Sequence, residues 1–149
     1  MTSLERTYII DPTPDYELLL IKAVKAMGFP ELGGTSYNHV GDRDPINLTE
    51  VIASGKAFAA VRVLGGPSTS TRDTPMVDFD VFSLTQLVSS QVAKKIVAYL
   101  MGTPIMIRDG GTAMHIEDHR VVLDPAEVPW EPDRSIRRYY TSMQLAVRR

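Results

Sequence analysis

The segment His115-Ile116-Glu117-Asp118-His119 sets two imidazoles and a carboxylate at alternate positions. On a regular strand His115, Glu117 and His119 share one side, and two imidazoles with a carboxylate can hold zinc or iron. The spacing works against a single shared ion, because positions i and i+4 of a strand stand about 13 Å apart unless the strand bulges. A wet strand face or turn is the simpler account. His39 with Asp42 and Asp44 is the second cluster, readable as a hydrolase group or a cation loop. It lacks the further oxygen ligands and closing glutamate of a calcium loop, and turn-forming aspartates and glycines explain it.

Other candidates fail on missing partners. Asp78 and Asp80 alternate on one strand face like an acid–base pair, with no histidine or lysine neighbour identifiable in the sequence. Gly65-Gly66 and Gly110-Gly111 lack the lysine and hydroxyl residue of a phosphate loop, and no serine sits in a strand–turn–helix elbow. Arg134, Arg137, Arg138, Arg148 and Arg149 surround Tyr139 and Tyr140, which invites a nucleic-acid reading. Strand alternation splits Arg137 from Arg138, and the chain as a whole carries a net charge of −2. Salt bridges between subunits, or solvation, account for these arginines equally well. No catalytic residue, metal or cofactor is therefore expected.

The elements that position these residues follow from periodicity. Tyr16, Leu19, Leu20, Ala23, Val24 and Met27 recur at helical spacing after Asp11-Pro12-Thr13-Pro14-Asp15, where Thr13 or Asp15 can cap the helix. Glu31 to Pro45, rich in glycine and aspartate, reads as an irregular loop, with a short helix possible after Asn47. Ala57 to Leu64 and Met76 to Phe82 form an antiparallel hairpin whose polar connection, Ser68 to Pro75, projects beyond the sheet. A second helix starts at Thr85 and stops near Gly102, with Val88, Val92, Ile96, Tyr99 and Leu100 as its apolar stripe. Thr112 to Leu123 is a strand interrupted near Glu117-Asp118, and the proline-bearing Asp124 to Asp133 is a connector. Ser135 to Val147 is a strand with Tyr139, Thr141, Met143, Leu145 and Val147 on one face. The expected class is α+β: a mostly antiparallel sheet of about four strands with two main helices packed on one face.

With 149 residues the chain fits a single domain, residues 1–149, with 1–13 as an N-terminal arm. It contains no cysteine, which removes disulfide scaffolds and thiolate metal sites. No apolar run approaches the roughly 20 residues that span a bilayer, and the N-terminus, with Glu5 and Arg6, does not read as a secretory signal.

Several segments together resemble the tail-terminator (tail-completion) proteins of siphophages. They are Pro14-Asp15-Tyr16-Glu17-Leu18-Leu19-Leu20-Ile21; Val61-Arg62-Val63-Leu64-Gly65-Gly66 with Thr74-Pro75-Met76-Val77-Asp78-Phe79-Asp80-Val81-Phe82; the helix that follows; and Val128-Pro129-Trp130-Glu131-Pro132-Asp133 with the closing strand. The likeness lies in the order of the parts. It implies a structural virion protein, assembled in the bacterial cytoplasm as a ring of usually six copies on the head-proximal end of the tail tube. Such a ring stops tube growth, receives the head-completion or neck proteins, and lets DNA pass through its lumen without sequence-specific binding. Under that resemblance Arg72 and Asp73 in the hairpin loop are expected to make contacts along the tail axis. Asp78, Asp80, Arg138 and Tyr140, taken as sheet-edge residues, are expected to contact neighbouring subunits or partners. Alternatives are a head-closure or neck connector and a small metal-dependent hydrolase using His115, Glu117 and His119.

Overall fold

In the computed structural model, which describes residues 15–37, 48–130 and 133–148, the elements run in this order. They are α1 (Tyr16–Ala26), β1 (Leu32–Tyr37), α2 (Leu48–Ala53), β2 (Ala57–Leu64), β3 (Arg72–Asp73), β4 (Met76–Ser83), α3 (Gln86–Leu100), β5 (Ile105–Asp109), β6 (Thr112–Val128) and β7 (Arg137–Arg148). The strands make one seven-stranded sheet in the order β1-β2-β4-β7-β6-β5, with β3 against β7. β1 lies parallel to β2, and every other pairing is antiparallel. The N-terminal arm 1–13 and the His39, Asp42 and Asp44 cluster fall outside the described residues.

Both long helices are framed by side-chain caps. Asp15 accepts the Leu18 amide at 3.0 Å, and Thr85 Oγ1 accepts the Val88 amide at 3.3 Å. Each satisfies one of the orphan amides of a first turn and contributes about 1 kcal/mol. α1 and α3 lie on one face of the sheet. Leu19, Leu20 and Val24 from α1 and Val92, Ile96 and Leu100 from α3 bury against Val61, Phe79, Val81, Met143, Leu145 and Val147. A fully buried aliphatic side chain of this kind contributes roughly 1.5–3 kcal/mol. Tyr99, expected in the apolar stripe, is instead 42% exposed.

The design of about four strands with two helices on one face is corrected on three counts. First, β1 forms within the stretch read as a loop. Its Gly33-Gly34 supplies no side-chain alternation, and the strand is defined by backbone pairing to β2, from Leu32 opposite Ala57 to Tyr37 opposite Val61. Second, β6 runs 17 residues, through the segment read as a connector. Proline cannot donate to a ladder, but Pro125 falls in the register shift between Leu123, opposite Ser142, and Ala126, opposite Tyr140, so no ladder bond is asked of it. β5 then pairs with the start of β6, from Ile105 opposite Ile116 to Asp109 opposite Thr112. Third, a helix sits on the other face too. Ile52 of α2 packs with Phe58, Ala60, Phe82 and Trp130 in a second, smaller cluster, and the Phe82 and Trp130 rings meet edge-on with centroids 5.3 Å apart.

The expected hairpin is present, with Phe58 opposite Phe82 and Leu64 opposite Met76, but its connection does not project freely. β3 continues the line of β4 along β7: Asp73 lies opposite Val147 and Met76 opposite Gln144, and Leu145 donates to the Pro75 carbonyl at 3.0 Å in between. The turn is knitted by Thr74 N to the Pro67 carbonyl at 2.9 Å and Arg72 N to Thr69 Oγ1 at 3.0 Å. A Cβ on Gly66 would stand 1.9 Å from the Thr74 carbonyl oxygen, so the chain crossing admits no side chain there. No helix among the described residues is long and apolar enough to cross a membrane.

Candidate interaction surface

The register sorts the six candidate residues into two groups on different parts of the sheet. Asp78, Asp80, Arg138 and Tyr140 come together on the α2 face, and they lie on central strands, not on an edge as expected from sequence. Asp80 stands opposite Tyr140 and Asp78 opposite Ser142. Asp80 is 1% exposed and receives Arg138 Nε at 2.6 Å, and the Arg138 guanidinium also lies over the Tyr140 ring, 5.7 Å from its centroid. Burial pushes the Tyr140 phenol above its ordinary pKa. Its hydrogen bond to the Asp78 carboxylate and the nearby charges of Asp78 and Asp80 push the same way, against a smaller opposing bond from Ser142. Tyr140 is therefore held as a neutral donor to a carboxylate. The arrangement stitches β4 to β7 through charge-assisted bonds that cross two strands.

Arg72 and Asp73 part company. Being consecutive on a strand they point to opposite faces. Asp73 turns to the helix face, is buried, and accepts the Tyr16 hydroxyl at 2.6 Å, which ties the start of α1 to the sheet. Glu17 reinforces that tie by accepting the Val63 amide at 3.2 Å. Arg72 stays exposed and donates to Glu117 Oε2 at 2.8 Å. Glu117 also receives Arg148 Nε at 3.0 Å on its other oxygen. Its carboxyl is held below the usual range, first by the Arg72 hydrogen bond and then by that of Arg148. Arg72 and Arg148 lie directly opposite one another in the β3–β7 ladder. Like charges so placed repel, and the shared carboxylate offsets the repulsion.

Glu117 can reach both arginines because it is the extra residue of a β-bulge. The register jumps from Ile116, opposite Val147, to Asp118, opposite Ala146. The same bulge bears on the His115, Glu117 and His119 cluster, which the spacing in the sequence already argues against. His115 is opposite Arg148 and His119 opposite Leu145, so the two imidazoles face opposite sides of the sheet. His119 Nδ1 pairs with Thr103 Oγ1 at 2.8 Å. Among the described residues no three histidine, aspartate or glutamate side chains are grouped as a metal would need.

Sequence reasoning missed Glu117 and Arg148 as partners of Arg72, and Tyr16 as the partner of Asp73. Both links span many residues and exist only once the register is known. The fold and surface define a layered protein with a single mixed sheet, several of whose charged side chains tie one strand or helix to another. No family model matches the chain, and no curated protein matches its sequence.

Proposed function

We propose that the chain is a structural, non-catalytic virion protein of the tail-terminator kind, which caps the head-proximal end of a phage tail tube. The observation that carries this reading is where the resembling segments fall. Apart from the segment around Trp130, which joins the smaller cluster on the other face, they occupy α1, the β2–β4 pair, α3 and β7, which are contiguous and supply most of the main core. The likeness runs over most of the chain, from about residue 14 onward, and its main segments are neighbours in space.

The proposed role is competition for a growing end. Copies of the chain, arranged as a ring of usually six, occupy the docking surface of the last tube ring and present to the neck proteins a surface that accepts no further tube subunit. Such a ring uses heterologous contacts, in which one patch of each copy meets a different patch of the next. Leu87, 65% exposed, and the exposed Leu84, Met101, Met106, Val122 and Leu123 supply apolar side chains of the sort that partners cover. Arg72 and Arg138 remain the proposed polar contacts, Arg72 toward the tube and Arg138 toward a neighbour. Asp73, Asp78 and Asp80 act behind them by fixing the strands.

The test is reconstitution. Purified chain added to polymerising tail-tube protein of the same phage is expected to shorten the tubes in proportion to its concentration and to be found at one tube end by electron microscopy. Tube lengths unaffected by an excess of the chain would overturn the reading.

A further inference from the structure

We infer that the corner where β3, β7, β6 and β5 meet is a recognition site for an acidic side chain on a protein partner, flanked by an apolar one. The inference does not depend on the tail reading. Register sets Arg72, Arg148, His115 and Met106 in one row across four neighbouring strands, at the roughly 4.8 Å step of a sheet. Arg108, two residues beyond Met106 on the same side of β5, adds a third guanidinium.

The carboxylates facing this group are Glu117, shared between Arg72 and Arg148, and Asp118, which accepts the His119 amide at 2.8 Å. Three guanidinium groups against two carboxylates leave one positive charge in excess. Arg72 and Arg148 keep 51% and 66% of their side-chain surfaces exposed, and each bonds Glu117 through one nitrogen, which leaves guanidinium surface open to solvent. Guanidinium donors in that state match a carboxylate.

Beside the row lies a cleft of about 310 Å³ lined by Pro104, Ile105, Met106, His115, Glu117 and Arg148. One wall is apolar and the other charged. Met106 is 41% exposed at its mouth. A nucleic-acid backbone has no apolar group to place against Pro104, Ile105 and Met106, whereas a peptide with an aliphatic residue next to a glutamate or aspartate fills both walls. That difference favours a protein partner.

The probe is a synthetic peptide alternating leucine and glutamate, titrated into the full-length chain while side-chain NMR signals of His115 and Arg148 are followed. A glutamine-for-glutamate peptide and a 20-base-pair duplex DNA serve as comparisons. The acidic peptide is expected to move both signals saturably, and more weakly at high salt, because the charges are exposed. Arg72→Ala and Arg148→Ala are each expected to weaken binding about two- to fivefold. Glu117→Gln is expected to tighten it by removing the competing carboxylate, an effect that a purely structural corner would not give. Thermal melting checks that each variant is folded. The inference is overturned if the signals stay still, if Glu117→Gln and Arg148→Ala leave the affinity unchanged, if the glutamine peptide binds as well, or if duplex DNA binds the same residues more tightly.

Discussion

The central Arg138–Asp80 pair and the corner group of Arg72, Glu117 and Arg148 lie on the same sheet, and burial makes them different objects. In the centre, Asp80 is almost wholly enclosed and Arg138 is 23% exposed in its side chain, so the pair is bound into the packing of β4 against β7. At the corner, Arg72, Glu117 and Arg148 hold similar distances in water-accessible positions. Breaking a buried pair strands a charge away from water, while breaking an exposed one lets solvent take over. The same chemistry therefore chiefly binds strands together in one place, where only the Arg138 end reaches the surface, and lies open to solvent in the other.

The sharpest way to break this contrast is to remove the buried cation. Arg138→Ala is expected to destabilise the fold by about 3 kcal/mol, read from denaturant midpoints, because Asp80 loses the Arg138 guanidinium while remaining enclosed. A loss no larger than that of Arg72→Ala would show that the central pair is not distinct. Tyr16→Phe should rank next, at about 1–2 kcal/mol, since it leaves the buried Asp73 short of a donor and loosens the start of α1.

The two groups should also fail at opposite ends of the pH scale. Glu117 is more acidic in the folded chain, so its contribution is present above the ordinary carboxylate pKa of about 4.3 and is lost as pH falls through its lower folded value. Tyr140 has a raised folded pKa, so its contribution is complete below about pH 10 and is lost as pH rises through the higher folded value. Glu117→Gln should flatten the acid limb of a melting-temperature profile and leave the alkaline limb alone; Tyr140→Phe should do the reverse. Identical profiles for both variants would contradict the assignment of these groups. The smallest change is expected from Glu117→Gln at neutral pH, where exposed pairs contribute little.

The sequence shows the parts whose side chains carry the signal. The capped helices at Asp15 and Thr85, the paired strands around Val61 and Phe79, and the alternating Tyr139-to-Val147 face are all where periodicity and capping put them. It does not show β1, where Gly33-Gly34 offers no pattern, nor the passage of β6 through Pro125, which depends on a bulge. Of the candidate residues, Asp78, Asp80, Arg138 and Tyr140 come together on central strands and not on an edge, while Arg72 and Asp73 part to opposite faces. Asp73, Asp78 and Asp80 are polar letters in strands, which read as surface until a partner is known. Tyr16, Arg138 and Tyr140 are those partners or near neighbours, and only the register brings them close. The bulge at Glu117 had the largest consequence, since one inserted residue turned an apparent ligand set into a salt-bridged corner.

The chain is proposed to end tail growth. The most direct measurement is deletion of its gene in the genome that encodes it, followed by electron microscopy of the particles released. The account predicts tails of excessive and variable length without heads, restored to normal by supplying the chain in trans. Tails of normal length joined to heads would contradict it.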